Sequence, residues 1–342
     1  MHCFIACCSA AVFALGGTSA FAQAKRHAVN QAVATTSFAF LPVYVAEHMG
    51  YFREEGVDLT TTRVQTAAAG VAAVSNNNVQ YYLSTPAAGM QAALRGANVR
   101  LMAALMQQFP GNIVVSREVA ERHRGAIASS DVFTRLEVLR GLRLAAHSPG
   151  SAPDQLLRWV VRAQNMNPDR DVTILPITDA SILAALEQKR IDGFSYSSPL
   201  ADTAVVKHGA KILVSFASGE HRQLAGMLSI VAVGSRDWLN RDPESAAAVV
   251  RAMWRGMLLL RSDPAAAKEA ARKAFAQTDP AVYDAAFESN RRAFGDSPAF
   301  TREMIDRVVR FHEATGGQPM AGKLEDTYTN SAVELAAKTL KR

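Results

Sequence analysis

The chain has 342 residues, 49% apolar and 20% charged, with 37 Lys and Arg against 31 Asp and Glu for a formal charge of +6. This is the composition of a globular protein rather than a disordered or fibrous one, and the length exceeds what one hydrophobic core usually serves, so two lobes are expected. The basic residues are scattered, with only pairs such as Lys25-Arg26 and Arg291-Arg292, which describes a solvated surface and argues against a nucleic-acid groove.

In chain order, residues 1–22 combine an apolar run from Ala10 to Leu15 with Ala20-Phe21-Ala22, a small-x-small cleavage pattern. They read as a secretory signal cut after Ala22, although the leading residues carry no Lys or Arg. No later segment is long and apolar enough to span a bilayer. Cys3, Cys7 and Cys8 are the only cysteines, so the mature chain would have none. Thiol catalysis, thiolate metal sites and disulfides then fall away.

A β-branched strand over Ala32-Val-Ala-Thr-Thr36 leads toward Leu41-Pro42, a helix start, because proline lacks only an N–H that a first turn leaves unpaired. Gly50 stands where a left-handed residue would stop that helix, and Val57-Asp-Leu-Thr-Thr-Thr-Arg-Val64 returns to strand. The segment is a β-α-β unit. Its wording, Pro42-x-Tyr44-Val45-Ala46, then Gly50-Tyr51-Phe52, then Glu55-Gly56-Val57-Asp58, closely resembles the opening of the solute-binding proteins of ABC importers. The branch it resembles carries sulfonates, taurine, nitrate or the thiamine pyrimidine precursor, and the likeness continues more loosely to about residue 260.

That resemblance implies an α/β, two-lobed type II periplasmic binding protein, each lobe a mixed, mostly parallel sheet flanked by helices, with two crossover strands. Lobe 1 would comprise 27–112 and 233–342, and lobe 2 113–232. It implies a periplasmic monomer that binds a small anionic or heteroaromatic solute and hands it to an ABC permease and its ATPase. No cofactor, metal or nucleic acid would be involved, and the inner membrane would be met only through the permease.

An internal echo supports the two-lobed reading. Val79-Gln-Tyr-Tyr-Leu83 leads through Ser84-Thr85 to a helix from Pro86 to near Gly96. Gly141 to His147 leads through Ser148-Pro-Gly-Ser151 to a second helix, and Ile191 to Phe194 leads through Ser195-Tyr-Ser-Ser198 to a third at Pro199. Ligands of open α/β sheets bind beyond the strands' carboxyl ends, where helix N-termini present free N–H groups. Ser37, Phe38, Thr85, Ser148, Gly150, Ser151 and Ser198 are therefore the expected ligand contacts. Ser151-Ala-Pro-Asp154 resembles a capping box, and serines there could equally serve only as caps. Phe40, Tyr81, Tyr82 and Tyr196 read as core or as a stacking wall, with core favoured for Tyr81 and Tyr82.

Crossovers are expected near 107–115 and 215–233. The stretch 117–139 reads as an exposed insertion or a pair of short helices. Glu220-His221-Arg222 reads as a solvated loop, and His147 as lining the cleft. Asp242-Pro243, Asp263-Pro264 and Asp279-Pro280 start helices expected to pad the first lobe.

No H-E-x-x-H, Walker or G-x-S-x-G motif occurs. The enzymatic rival within the resembled superfamily is the thiamine-pyrimidine synthase, known for a consumable His and a cysteine cluster. The matching positions here, Ser84-Thr85-Pro86 and Leu224 to Ser229, contain neither. A binding protein serving a sensor without a transporter is the third class.

Overall fold

The computed structural model describes residues 26–34 and 36–340. The signal reading for 1–22 lies outside them. Ten strands form two sheets: β1 (His27–Val33), β2 (Val57–Arg63), β3 (Tyr81–Ser84), β4 (Val99–Met106), β5 (Gly111–Val115), β6 (Arg143–Ala146), β7 (Thr173–Pro176), β8 (Gly193–Ser197), β9 (Lys211–Ser215) and β10 (Ile230–Ser235). The first sheet has the order β2-β1-β3-β10-β4 and the second β7-β6-β8-β5-β9. In each, four of the five strands run in one direction and the fifth, β10 or β5, lies antiparallel between two of them. The internal echo of the sequence is thus one topology used twice, and the fold is the two-lobed α/β architecture expected.

The chain passes between sheets over 107–110 and 216–229. Gly111 and Asn112 pair with β8 in the second sheet, whereas Ile230 to Ala232 pair with β4 in the first. Strands β3, β4, β5 and β10 are almost wholly buried, which explains their near-continuous apolar runs where an alternating pattern would mark a half-exposed sheet. Tyr81 and Tyr82 point to opposite faces and both join the core. Tyr81 donates its hydroxyl to Gln31 Oε1 (2.9 Å), and the Tyr82 ring lies where a Cβ on Gly70 would come within 2.7 Å of it.

Pro42 occupies the first turn of the Leu41–His48 helix, and Gly50 adopts φ +79°, the left-handed conformation its place requires. The long Pro243–Ser262 helix crosses this helix so closely that a Cβ on Gly256 would collide with the Pro42 carbonyl. Asp242, Asp263 and Asp279 each cap as their Asp-Pro pairs predict, accepting from the N–H groups of Ser245 (3.3 Å), Ala266 (3.0 Å) and Ala281 (2.9 Å).

Two expectations need correction. Residues 117–139 form three short helices and a 3-10 turn, and they are no mere exposed insertion. Val119, Leu136 and Leu139 are buried in the core of the second sheet. The Pro280–Asn290 helix does more than pad the first lobe. It packs against the Phe38–Phe40 turn and also against the Leu200–His208 helix of the second lobe. Lys207 pairs with Asp279 (3.2 Å), Ser289 donates to Asp202 (2.9 Å) and Asn290 donates to Ser198 (2.8 Å).

Candidate ligand site between the lobes

A cavity of about 420 Å³ opens between the sheets, beside both passages. Its floor comes from the first turns of two helices, Pro86–Leu94 in the first lobe and Ala152–Ala163 in the second. Proline in each first turn favours helix initiation there, and Leu156, Leu157, Val160 and Val161 anchor the second helix in the core. The N-cap residues Thr85 and Ser151 have extended backbones but make no side-chain capping bond. At Thr66, Ser116, Ser235 and Thr301, by contrast, the hydroxyl does cap. The N–H groups facing the cavity are therefore left without the partner that such residues normally supply.

Unsatisfied hydroxyls accompany them. Ser195 is completely buried on β8 and lines the cavity, yet its Oγ has no hydrogen-bond partner among the described residues. Ser84 Oγ and Ser151 Oγ, which adjoin the lining residues Thr85 and Ala152 in sequence, also have no hydrogen-bond partner among the described residues. Buried polar atoms are nearly always paired in folded proteins, so this set marks a place where a bound group would complete the bonding. Burial, with Asp179 nearby, raises the pKa of the Tyr196 phenol, keeping it a neutral donor on the same wall. Gln91 Nε2 and His312 Nε2 lie within hydrogen-bonding distance of each other (3.1 Å).

Much of the remaining lining is apolar. Phe109 lies 5.4 Å from Phe311, and Leu156, Met227 and Val308 fill the space around them. Among the described residues, no Asp, Glu, Lys or Arg lines the cavity. It can therefore hold one end of a molecule by neutral donors and helix dipoles, and the other by apolar contact.

Of the seven expected contacts, Thr85 lines this cavity, and Ser151 sits next to Ala152 and Pro153, which do. The capping box forms only in part. Asp154 accepts from the Gly150 N–H (2.8 Å) and pairs with Arg158 (3.0 Å), while Ser151 caps nothing. Ser148 is exposed, with its hydroxyl 3.0 Å from His147 Nδ1, and Gly150 is an exposed turn residue at φ +79°. Neither lines the cavity, nor does His147. On the far side, Ser37 accepts from the Ala39 N–H (3.2 Å) and caps its own turn. Phe38 is buried with its ring stacked 4.1 Å from Phe275, and Ser198 is buried under Asn290. None of these three lines the cavity.

Sequence reasoning stopped at Ser198 where the cavity uses Ser195, Tyr196 and Ser197. The serine-rich strand end was the signal, and only the strand's register separates its members. Phe109, Phe311 and His312 gave no local signal, since they meet from distant parts of the chain. His221 corrects the solvated-loop reading: its ring is 1% exposed, lies 5.1 Å from Phe133 and 5.3 Å from both Trp159 and Phe216, and neither nitrogen has a hydrogen-bond partner among the described residues. Glu220 pairs instead with Arg135 and accepts from the Ser215 N–H (2.8 Å).

Residues 22–275 match the model of the NMT1-like family. The chain belongs to that family. Over 168 residues this NMT1-like chain is 29% identical to the bicarbonate transport ATP-binding protein CmpC of Synechocystis, covering 47% of the chain and 25% of that relative. The chain thus spans about a quarter of the length of that curated relative. In three dimensions it resembles the alkanesulfonate-binding protein SsuA of Xanthomonas axonopodis bound to MOPS, with a TM-score of 0.60 and 16% identity over 92% of this chain and 98% of that one. A DszB mutant in complex with biphenyl-2-sulfinic acid superposes with a TM-score of 0.63 and 14% identity, covering 90% and 99%. At such identities, these likenesses establish that the NMT1-like chain shares their fold.

Proposed function

We propose that this NMT1-like protein is the periplasmic solute-binding component of an ABC importer, and that its solute is a small organic oxyanion with an apolar body. One observation carries the reading. Two helix N-termini without side-chain caps and the unpaired Ser195 hydroxyl share a cavity with Phe109 and Phe311, and no Asp, Glu, Lys or Arg among the described residues lines it. A helix N-terminus carries roughly half a positive elementary charge, so two of them suit an anionic head without a buried counter-ion. The volume of about 420 Å³ lies within the ordinary range of small-molecule sites and leaves room for more than an inorganic anion. SsuA with MOPS and DszB with biphenyl-2-sulfinic acid are fold relatives holding ligands of that description.

Export with cleavage after Ala22, a monomeric state, and delivery to a permease and its ATPase belong to the same proposal. So does binding without chemistry: solute recovered after long incubation should have unchanged mass. The test is calorimetry with alkyl and aryl sulfonates, aromatic carboxylates, pyrimidines and nitrate. An organic oxyanion should bind, and Thr85→Val or Ser195→Ala should weaken it by about 1.5–3 kcal/mol, the worth of a hydrogen bond to a charged group. Ser37→Ala, Ser148→Ala, Ser151→Ala and Ser198→Ala measured alongside decide which other expected contacts take part. Unchanged affinity in both Thr85→Val and Ser195→Ala would remove the site from this cavity.

A further inference from the structure

A second pocket lies at the other end of the first sheet, where β4 begins and β10 ends, away from the inter-lobe cavity. It encloses about 130 Å³ and is lined by Arg100, Arg236, Leu239, Asn240, Thr329 and Ser331. Both guanidiniums are held by backbone carbonyls. Arg100 donates to Asp326 O (3.2 Å), and Arg236 donates to Val99 O (3.0 Å) and to Asp326 O (2.9 Å). Carbonyls orient a guanidinium but do not neutralise it. The one carboxylate in reach is that of Asp326, 3.9 Å from Arg100 and itself 60% exposed, and Arg236 has no ion pair among the described residues. Burial, and then the charge on Arg100, lower the pKa of Arg236, partly offset by the Asp326 carboxylate. Thr329 and Ser331 place their hydroxyls 3.0 Å apart on the rim, beside the exposed Asn240 amide.

We propose that this pocket is a second ligand site, for a small tetrahedral oxyanion of the phosphate or sulfate type. Two fixed guanidiniums supply paired donors to such an ion, and the hydroxyls and the amide supply the remainder. The ion would tie together β4, β10 and the segment entering the C-terminal helix. This chemistry differs from that of the inter-lobe cavity, which no Lys or Arg among the described residues lines. The two sites can therefore be told apart by mutation.

Titration calorimetry with inorganic phosphate, then with sulfate, at ionic strength held constant with chloride, tests the assignment. Wild-type protein should bind one ion in preference to chloride. Arg100→Gln should weaken binding about tenfold or more, as should Asn240→Asp, which puts a negative charge on the rim without touching the backbone contacts. Circular dichroism checks that each variant is folded, and Thr85→Val should bind phosphate like the wild type. Phosphate no tighter than chloride, equal affinity in Asn240→Asp, or loss in Thr85→Val would each overturn the proposal.

Discussion

At the scale of single residues, two buried titratable groups make opposite demands on pH. His221 sits among aromatic rings with neither nitrogen paired, and burial lowers its pKa below the ordinary 6.5. The unfolded chain therefore takes up the proton first. The contribution of His221 to stability is present above pH 6.5 and is lost as pH falls through the folded value. His221→Phe keeps a ring in the cage and removes both unpaired nitrogens. It should raise stability at neutral pH by about 1–3 kcal/mol and flatten the melting profile on the acid side, as read by calorimetry across pH. Asp202 works the other way. Burial raises its pKa above 3.8, so its contribution is fully present below that pH and is lost as pH rises through the folded value. Asp202→Asn retains an acceptor for Ser289 and should abolish that slope. A slope equal to that of the wild type would mean that another carboxyl produces it.

At the scale of elements, the crossing of the Leu41–His48 and Pro243–Ser262 helices rests on the absence of one side chain. Gly256→Ala drives a methyl into the Pro42 carbonyl, and the expected loss of about 1–3 kcal/mol should show in the denaturant midpoint. Substitution of Gly50, where nothing crowds the Cβ, would instead be strained through its φ of +79°. The same elements show what a sequence can disclose. The Asp-Pro helix starts, the Gly50 stop and the repeated strand-to-helix turns were legible because each depends on neighbours along the chain. The idle Ser151 hydroxyl and the burial of Phe38 by Phe275 were not, because a partner from far along the chain, or the lack of one, decides them. The strand end at Ser195 to Ser198 was legible as a place but not as a choice of residue. A shift of one position along a strand reverses the face on which a side chain appears.

At the scale of the whole molecule, the Pro280–Asn290 helix holds the second lobe through hydrogen bonds to Asp202 and Ser198 and the Lys207–Asp279 ion pair. None of these groups lines the inter-lobe cavity. If binding requires the lobes as these bonds hold them, the double variant Ser289→Ala with Asn290→Ala should weaken solute binding in calorimetry without altering any cavity-lining residue. It should also enlarge the radius of gyration in small-angle scattering. An affinity unchanged by the double variant would mean that these bonds do not govern closure. Solute at a hundredfold excess over Kd should stabilise the folded protein by about 2.7 kcal/mol, visible as a higher melting temperature.

The position of β10 in the first sheet sets a timetable for assembly. β4 has β10 as its only strand partner among the described residues, and its isolated bridges reach Phe294 and Tyr328, later still. During synthesis from the N-terminus, the buried, apolar β4 must therefore wait, unpaired, until residues 107–229 have been made. All the strands of the second sheet lie within 111–215, so that lobe can be complete while the first is still missing β10, the strand that joins β4 to β3. The lobe that begins first finishes last. A nascent chain halted before β10 would carry a finished second lobe beside a three-stranded patch with an open edge, the form in which this protein would be most prone to stick to its own copies.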